Sequence, residues 1–162
     1  MVKKSSANPI QIEVQIAPAF SGSDYADLLS PERLTGVIRT VLQHMERTGQ
    51  VTLVITDDEG IRELNRDFLE IDEPTDVLAF AAQEDSGPFV SAPEAGEYLG
   101  DVIVSFPRAK AQAEEMGHPV ELEINLLIVH GVLHLLGYDH SSEGEKAIMW
   151  AEQDTILRSP RV

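Results

Sequence analysis

The chain has 162 residues and a mass of 17.8 kDa, which fits a single domain that is large enough to bury a core. It contains no cysteine, so a disulfide scaffold and a thiolate metal site are excluded, and any metal must be held by His, Asp or Glu. Twelve Lys and Arg residues against 28 Asp and Glu give a formal net charge of -16, which argues against a protein that binds polyanions through bulk charge.

The N-terminal residues 1–9 are predicted to form a flexible tail. Two lysines occur there, but no apolar region follows them as it would in a secretory signal. No stretch approaches the roughly 20 unbroken apolar residues of a membrane span. We therefore expect a cytoplasmic protein of a prokaryote, or a protein of an organelle matrix, with no membrane partner.

Apolar periodicity, capping residues and glycine breaks predict four strands and five helices. Their order, β-α-β-α-β-β-α-α-α, predicts a single α/β domain over residues 10–162, with helices packed on a small mixed sheet. The strand order is left open. The helix over 119–136 is apolar nearly all round, so it is expected to be central and buried. In chain order the elements are a strand over 10–16, a helix from Pro31 to about Thr48 that Gly49 ends, a strand over 51–55, a helix from Asp57 or Asp58 through Phe68, a strand over 77–82, a loop over 83–97, a strand over 99–106, a helix from Pro107 through Met116, a helix from Pro119 to about Leu136, and a helix capped by Ser141 or Ser142 that runs to about Leu157.

Three of the five histidines fall within residues 130–140. His130 and His134 are four residues apart on the predicted buried helix, so their imidazoles lie on one helix face. Gly137 permits the left-handed turn that ends the helix, and His140 can then return toward the other two. Three neutral imidazoles around Zn²⁺ leave a fourth position for water, which is the arrangement of a catalytic site. The alternative is a set of core histidines, but each would need a hydrogen-bond partner among apolar neighbours.

The same histidine spacing occurs in metzincin zinc peptidases, which carry a Glu general base directly after the first histidine. Here that position is Gly131, which cannot accept a proton, so peptide hydrolysis by that route is disfavoured. Asp139 is a possible substitute base. The favoured alternative is that Asp139 caps the last helix or orients a ligand imidazole.

The motif over 130–140, H-G-V-L-H-L-L-G-Y-D-H, resembles the signature of the YbeY family, the rRNA maturation endoribonucleases. Two further segments are similar to the family in order and spacing. They are Leu-Asn at 64–65 followed by P-T-D-V-L-A-F at 74–80, and L-G-D-V-I-V-S at 99–105. Met149-Trp150 and Ile156-Leu157 lie where the family's last helix runs, so the resemblance covers nearly the whole chain from about residue 10.

The resemblance implies a single-domain α/β fold with one Zn²⁺ bound by His130, His134 and His140. It implies a single-strand-specific, metal-dependent endoribonuclease. Such an enzyme acts in rRNA maturation, at the 3′ end of 16S rRNA, and in ribosome quality control. The expected partners are single-stranded RNA and the small ribosomal subunit with its proteins, and not DNA.

One departure from the family lies between Phe68 and Pro74. The family commonly carries an arginine there, followed two residues later by a lysine, whereas this chain has Leu69 and Ile71. An alkyl chain thus replaces a guanidinium that could hold a phosphate. Either Arg66 or Arg108 takes over that role, or the chain is a weak nuclease or only a binding protein. The sequence assigns no catalytic residue beyond the metal ligands.

Other polar residues are weighed between function and structure. Asp76 is either a carboxylate in the active cleft or a turn residue that binds its own backbone. Asn65 either meets RNA or forms a hydrogen bond inside the fold. Asp101 is expected to be structural, His118 to be exposed without a ligand partner, and His44 to interact favourably with the C-terminal end of its helix.

Three hypotheses of function follow. The first is a metal-dependent endoribonuclease, the second a metalloprotease, and the third a ribosome-associated binding protein whose metal is structural. With a net charge of -16, RNA must be held locally, by the metal, by backbone N–H groups and by a few side chains. The candidate side chains are Arg66, Arg108 and Lys110, and binding is expected to be weak without a partner that delivers the RNA.

Overall fold

The computed structural model of the chain describes residues 10–82, 97–159 and 162. These residues form four strands and five helices in the predicted order. The predicted tail over 1–9 and nearly all of the predicted loop over 83–97 lie outside the described residues. The elements are β1 (Ile10–Ile16), α1 (Pro31–His44), β2 (Gly49–Thr56), α2 (Asp58–Leu69), β3 (Val77–Ala81), β4 (Tyr98–Ser105), α3 (Phe106–Met116), α4 (Val120–Leu135) and α5 (Glu143–Leu157), with two short 3₁₀ turns between β1 and α1 at Pro18–Phe20 and Ser23–Tyr25.

The four strands form one mixed sheet in the order β1-β2-β4-β3. β1 pairs with β2 and β2 with β4 in parallel, whereas β3 runs antiparallel to β4. The mixed sheet was predicted, but the strand order was not. β3 is therefore an edge strand in the described part of the chain, and its outer side faces the site described below.

Helices cover both faces of this sheet. On one face, α2 contributes Ile61 to a small apolar cluster with Leu78 and Phe80 of β3 and Ile103 of β4. On the opposite face, α1, α4, α5 and the start of α3 share the main core with the alternate residues of β2 and β4. α4 contacts α1, α3, α5, β3 and β4, and most of its side chains are buried. The prediction of a central buried helix is therefore confirmed.

The predicted helix starts are confirmed by side-chain caps. The Ser30 hydroxyl accepts a hydrogen bond from the N–H of Arg33, and the Asp57 carboxylate accepts one from Gly60. Of the two alternatives for the last helix, Ser142 is the cap, since its hydroxyl accepts from the N–H of Glu145. None of the helices in the described segments is both long enough and apolar enough to cross a membrane.

The predicted end of α1 at Thr48 is wrong. The helix ends at His44, because Glu46 adopts a left-handed conformation with φ 55°. The Arg47 N–H then donates to the carbonyl of Leu42 at 2.9 Å, which pairs a carbonyl of the last helical turn, so the helix ends five residues before Gly49. Gly49 instead begins β2. Non-glycine residues seldom take this conformation, so the sequence pointed to the glycine.

Candidate metal centre

The three predicted histidines lie together at the C-terminal end of α4. His130 and His134 are one helical turn apart, and their ring centroids are separated by 4.7 Å. The ring of His140 lies 5.5 Å from that of His130 and 5.1 Å from that of His134. One possible ligand atom from each residue lies within 4.8 Å of the other two. This cluster could hold a metal ion, and its donor set of three imidazoles suits a borderline-soft divalent cation.

The end of α4 brings His140 back to the helix. Gly137 has φ 103°, and its N–H donates to the carbonyl of His134 at 3.0 Å. The N–H of Tyr138 donates to the carbonyl of Leu133 at 3.1 Å, which completes a Schellman-type end. The prediction that Gly137 ends the helix is confirmed. A side chain here would be strained, so the glycine is part of how the third histidine is placed.

Asp139 belongs to this turn. Its Oδ1 accepts a hydrogen bond from the N–H of His140 at 2.7 Å, and its Oδ2 accepts from the Ser141 hydroxyl at 3.3 Å. The His140 N–H lowers the pKa of the Asp139 carboxyl, which makes this group a poor proton acceptor. The geometry favours the positioning alternative over a general base, although the cap of α5 is Ser142 rather than Asp139.

A buried amide orients the first histidine. His130 Nδ1 donates to Oε1 of Gln153 at 2.5 Å, with the tautomer assigned from this contact. Nε2 is then the ring nitrogen that remains to bind a metal. Gln153 lies on α5 and is buried, and it is not among the residues predicted from the sequence. A signal was present, because Gln153 interrupts an apolar stripe formed with Met149 and Ile156 at helical spacing.

The environment keeps two imidazoles neutral. Burial lowers the pKa of His130; the neighbouring His140 lowers it too, while the Gln153 hydrogen bond and Asp76 act in the opposite direction. Burial also lowers the pKa of His134, and both neighbouring histidines add to this. Metal ions bind the neutral form of histidine, so the site is prepared for a cation at neutral pH.

The cluster opens into a cavity of about 320 Å³ between α4 and the edge strand β3. Its walls are the three histidines, Gly131 and residues 75–79. A second groove of about 620 Å³ runs between α4 and α5, and it shares Asp76, Val77 and His130 with the first. The cavity and the groove therefore adjoin each other at His130.

Gly131 lies where α4 packs closely on β4. A Cβ atom at this position would be 2.6 Å from Cγ1 of Val102, so even alanine would force a shift. The glutamate that a metzincin peptidase needs here has no room. The metalloprotease hypothesis thus lacks its general base for a steric reason as well as a chemical one.

Asp76 forms the turn contact that was one of its two predicted alternatives, and it also lies at the cleft. Its Oδ1 accepts from the N–H of Val77 at 2.7 Å, which is turn chemistry at the start of β3. Its Oδ2 accepts from Nε2 of Gln112 at 3.3 Å. It also lines both the cavity and the groove beside His130. A carboxylate held in this way is available to a ligand in the cleft.

The remaining polar candidates are structural in this fold. Asn65 is buried, and its amide donates to the carbonyl of Glu73 at 2.9 Å, which ties down the segment after α2. Asp101 is buried and accepts a hydrogen bond from the Tyr98 hydroxyl, as expected for a structural role. His44 lies in the last turn of α1 as predicted, and it contacts Glu152 at 3.2 Å.

His118 departs from its predicted exposed state. Its side chain is only 22% exposed, and its Nε2 lies 2.7 Å from Oε1 of Glu123. The break between α3 and α4 folds this ring back onto the first turn of α4. His118 is not part of the histidine cluster around His130.

The three cations predicted to hold RNA are engaged elsewhere. Arg66 contacts Asp67 at 3.1 Å, and Arg108 contacts Asp58 at 3.3 Å. The ammonium of Lys110 donates to the hydroxyl of Tyr25 at 3.2 Å. None of the three lines the cavity or the groove. Leu69 and Ile71, at the positions where the resemblance implies basic residues, are exposed and do not line the cavity or the groove either.

The sequence of this chain matches one known protein family over most of its length. The family model described as endoribonuclease YbeY matches residues 23–160. A relative named endoribonuclease YbeY from Roseiflexus sp. is 41% identical over 151 residues, which covers 91% of each chain. A relative of the same name from Synechocystis sp. is 39% identical and covers 94% of this chain and 92% of its own.

The fold is also found among solved structures. The solution structure of a protein from Thermotoga maritima matches with a TM-score of 0.58 at 24% identity. The match covers 91% of this chain and 87% of that protein. At 24% identity this structural match supports the fold alone. Membership of a family is shown by the family model and the relatives. Since the family model spans most of the sequence and the two relatives match over more than nine tenths of both chains, the chain belongs to the YbeY endoribonuclease family.

Proposed function

We propose that this chain is a metal-dependent endoribonuclease in which His130, His134 and His140 hold one Zn²⁺ ion. The observation that carries the proposal is the convergence of three imidazoles on one point beside an open cavity. Membership of a family named for endoribonuclease activity supports the reaction. Because no cysteine is available and the donors are imidazoles, zinc is the preferred ion.

The three imidazoles match the protein ligand set of a catalytic zinc site, which leaves a fourth position open. The ion they would hold would supply Lewis-acid chemistry and would lower the pKa of a coordinated water to about 7. Gln153 fixes the His130 ring and its tautomer, and Asp139 fixes the backbone at His140. Asp76 presents a carboxylate to the same cleft. These residues orient and position; the nucleophile is either water or the RNA 2′-hydroxyl.

The substrate we propose is single-stranded RNA, in rRNA maturation at the 3′ end of 16S rRNA and in ribosome quality control. The net charge of -16 opposes long-range attraction of RNA, so the small ribosomal subunit and its proteins would deliver the strand. Such a role places the protein in the bacterial cytoplasm, without DNA or membrane partners. The relatives that carry the family name come from bacteria, which supports this setting.

The decisive experiment measures metal content and RNA cleavage on the same preparations. His134→Ala should lose bound zinc and reduce cleavage of a labelled single-stranded RNA by at least about 100-fold while the fold is retained. His44→Ala is the matched control, because it removes an exposed histidine on α1 and should leave zinc and cleavage unchanged. Cleavage that survives His134→Ala or chelation would belong to a contaminating nuclease and would overturn the proposal.

A second candidate is a ribosome-associated binding protein whose metal is structural. It is favoured by one observation, the exposed Leu69 and Ile71 where the family commonly carries basic residues. This candidate predicts co-sedimentation with small subunits and unfolding on chelation, without RNA turnover. The same metal and cleavage measurements therefore separate it from the nuclease.

A further inference from the structure

Trp150 lies directly beside the histidine cluster, although it belongs to a different helix. Its indole meets the ring of His130 at 5.7 Å and 88°, and the ring of His140 at 5.8 Å and 83°. Both contacts are edge-to-face. The side chain nevertheless remains 42% exposed. A large aromatic ring thus packs against two of the histidines that are the proposed metal ligands, while much of its surface stays exposed.

The open surface of Trp150 belongs to the groove between α4 and α5. The groove has a volume of about 620 Å³, which is in the range of small-molecule sites. Its wall near Trp150 is apolar, with Leu127 and Ala147. Because the groove shares His130 with the metal-site cavity, the nucleotide next to a phosphate at the histidines reaches it.

Charge distinguishes which part of that nucleotide enters the groove. Asp76, Glu123 and Asp154 are among its lining residues, so a phosphate would be repelled. A nucleobase is flat and uncharged, and its N–H groups can donate to carboxylates. The occupant that fits this lining is therefore an unpaired base rather than the sugar-phosphate backbone.

One cation accompanies the indole. The ammonium of Lys146 lies over the Trp150 ring, 5.5 Å from its centroid. Within residues 10–82 and 97–159 it forms no ion pair with a carboxylate, in contrast to Arg66 and Arg108. Its flexible side chain can move from the ring to a phosphate when a base takes the place over the indole.

We propose that Trp150 and Lys146 form a nucleotide-binding platform beside the metal site. The indole stacks on the base adjacent to the scissile phosphate, and the Lys146 ammonium pairs with the phosphate of that nucleotide. This inference rests on the proposed function, because it assigns how that site takes its substrate. It accounts for single-strand specificity, since a base within a duplex is already stacked and cannot reach the groove.

The chain offers a direct probe, because Trp150 is its only tryptophan. A 2′-O-methyl oligoadenylate, which lacks the 2′-hydroxyl nucleophile and whose length is checked after each measurement, should quench the intrinsic fluorescence of the metal-loaded protein when its bases stack on the indole. The same strand annealed to its complement should quench far less. Equal quenching by single strand and duplex, or none at binding saturation, overturns the platform.

Variants test the same contact by affinity. Trp150→Leu should weaken binding of the oligoadenylate about 5- to 100-fold, as expected for the loss of one stacked base, with metal content unchanged. Trp150→Phe keeps an aromatic face and should retain most of the affinity. Ile148→Ala is the control, since it removes an exposed apolar side chain from the same helix outside the groove. Equal affinities for Trp150→Leu and Ile148→Ala would refute stacking, and the quenching experiment decides the question if Trp150→Leu does not fold.

The outcomes separate this inference from the proposed function. If His134→Ala abolishes cleavage while Trp150→Leu changes neither affinity nor cleavage, the nuclease stands and the platform falls. If the wild-type protein is quenched by single strands but cleaves no RNA, the platform stands and the nuclease falls.

Lys146→Met should reduce the salt dependence of binding by about 0.7 in log–log slope, which is one phosphate contact to a single strand.

Discussion

The amide of Gln153 acts on the proposed metal site through a single hydrogen bond. Its Oε1 accepts a hydrogen bond from the Nδ1–H of His130 and so selects the tautomer that leaves Nε2 for coordination. The contact crosses from α5 to α4, which means that packing between these helices sets the ring orientation. Removal of such a partner weakens metal binding without removing a ligand.

We predict that Gln153→Leu lowers zinc affinity about 10- to 100-fold while the protein stays folded. Gln153→Glu keeps an acceptor at the same position and should retain most of the affinity. Competition with a chromophoric chelator measures both, and Thr155→Ala serves as the control because it alters an exposed side chain on the same helix. Unchanged affinity in Gln153→Leu would show that His130 is oriented by its packing alone.

At the scale of elements, the site depends on how closely α4 approaches β4. Gly131 permits this approach, because a Cβ there would lie 2.6 Å from Val102. If the helix moved outward to relieve the contact, the two histidines on either side of Gly131 would move with it. Helix packing and ligand geometry are therefore coupled at this crossing.

We predict that Gly131→Ala destabilises the fold by about 1–3 kcal/mol, since overpacking outweighs the gain in helix propensity of about 1 kcal/mol. Gly36→Ala is the matched control, because Gly36 also lies inside a helix and a Cβ there meets nothing within 4 Å. That control should gain up to about 1 kcal/mol. Urea unfolding of both variants measures the difference, and an equal response would mean that α4 shifts freely over the sheet.

The order of the elements could be predicted from the sequence because each carries its own periodicity and caps. Ser30 and Asp57 mark the starts of helices because they cap them through local hydrogen bonds. Such local signals can be recognised without knowing the tertiary fold. The strand order could not be predicted, since pairing of β4 between β2 and β3 is decided by packing of distant segments. The predicted end of α1 was wrong because Glu46 adopts a left-handed conformation that its residue type does not favour.

The residues of the candidate site also divide into those that could be predicted from the sequence and those that could not. His130 and His134 could be placed together because helical spacing alone puts them on one face, and Gly137 indicated the return of His140. Gln153 and Trp150 could not be assigned, because they reach the histidines only through the packing of α5 on α4. Arg66, Arg108 and Lys110 were natural candidates by charge, but they contact other residues and do not line the cleft.

At the scale of the whole molecule, the net charge of -16 repels RNA, which is also negatively charged. The charge lowers the rate at which free RNA meets the protein, and it makes local contacts decide the affinity. At the C-terminal end of α2, Leu69 and Ile71 leave an exposed apolar surface where the family resemblance implies two cations. The segment that follows is anchored by Asn65 and leads to Asp76 in the cleft.

Leu69→Arg is therefore the most informative change for the whole protein. If the chain is a nuclease that is limited by RNA binding, the new guanidinium should strengthen binding of single-stranded RNA and raise its cleavage several-fold. The salt dependence of binding should steepen by about 0.7 in log–log slope for one added phosphate contact. Met116→Arg makes the same change in net charge at a more exposed position at the end of α3, away from the cleft. A gain in Leu69→Arg alone assigns the effect to a local phosphate contact, whereas equal gains in both variants assign it to net charge. No gain in cleavage, with tighter binding, would instead favour the ribosome-associated binding protein over the nuclease.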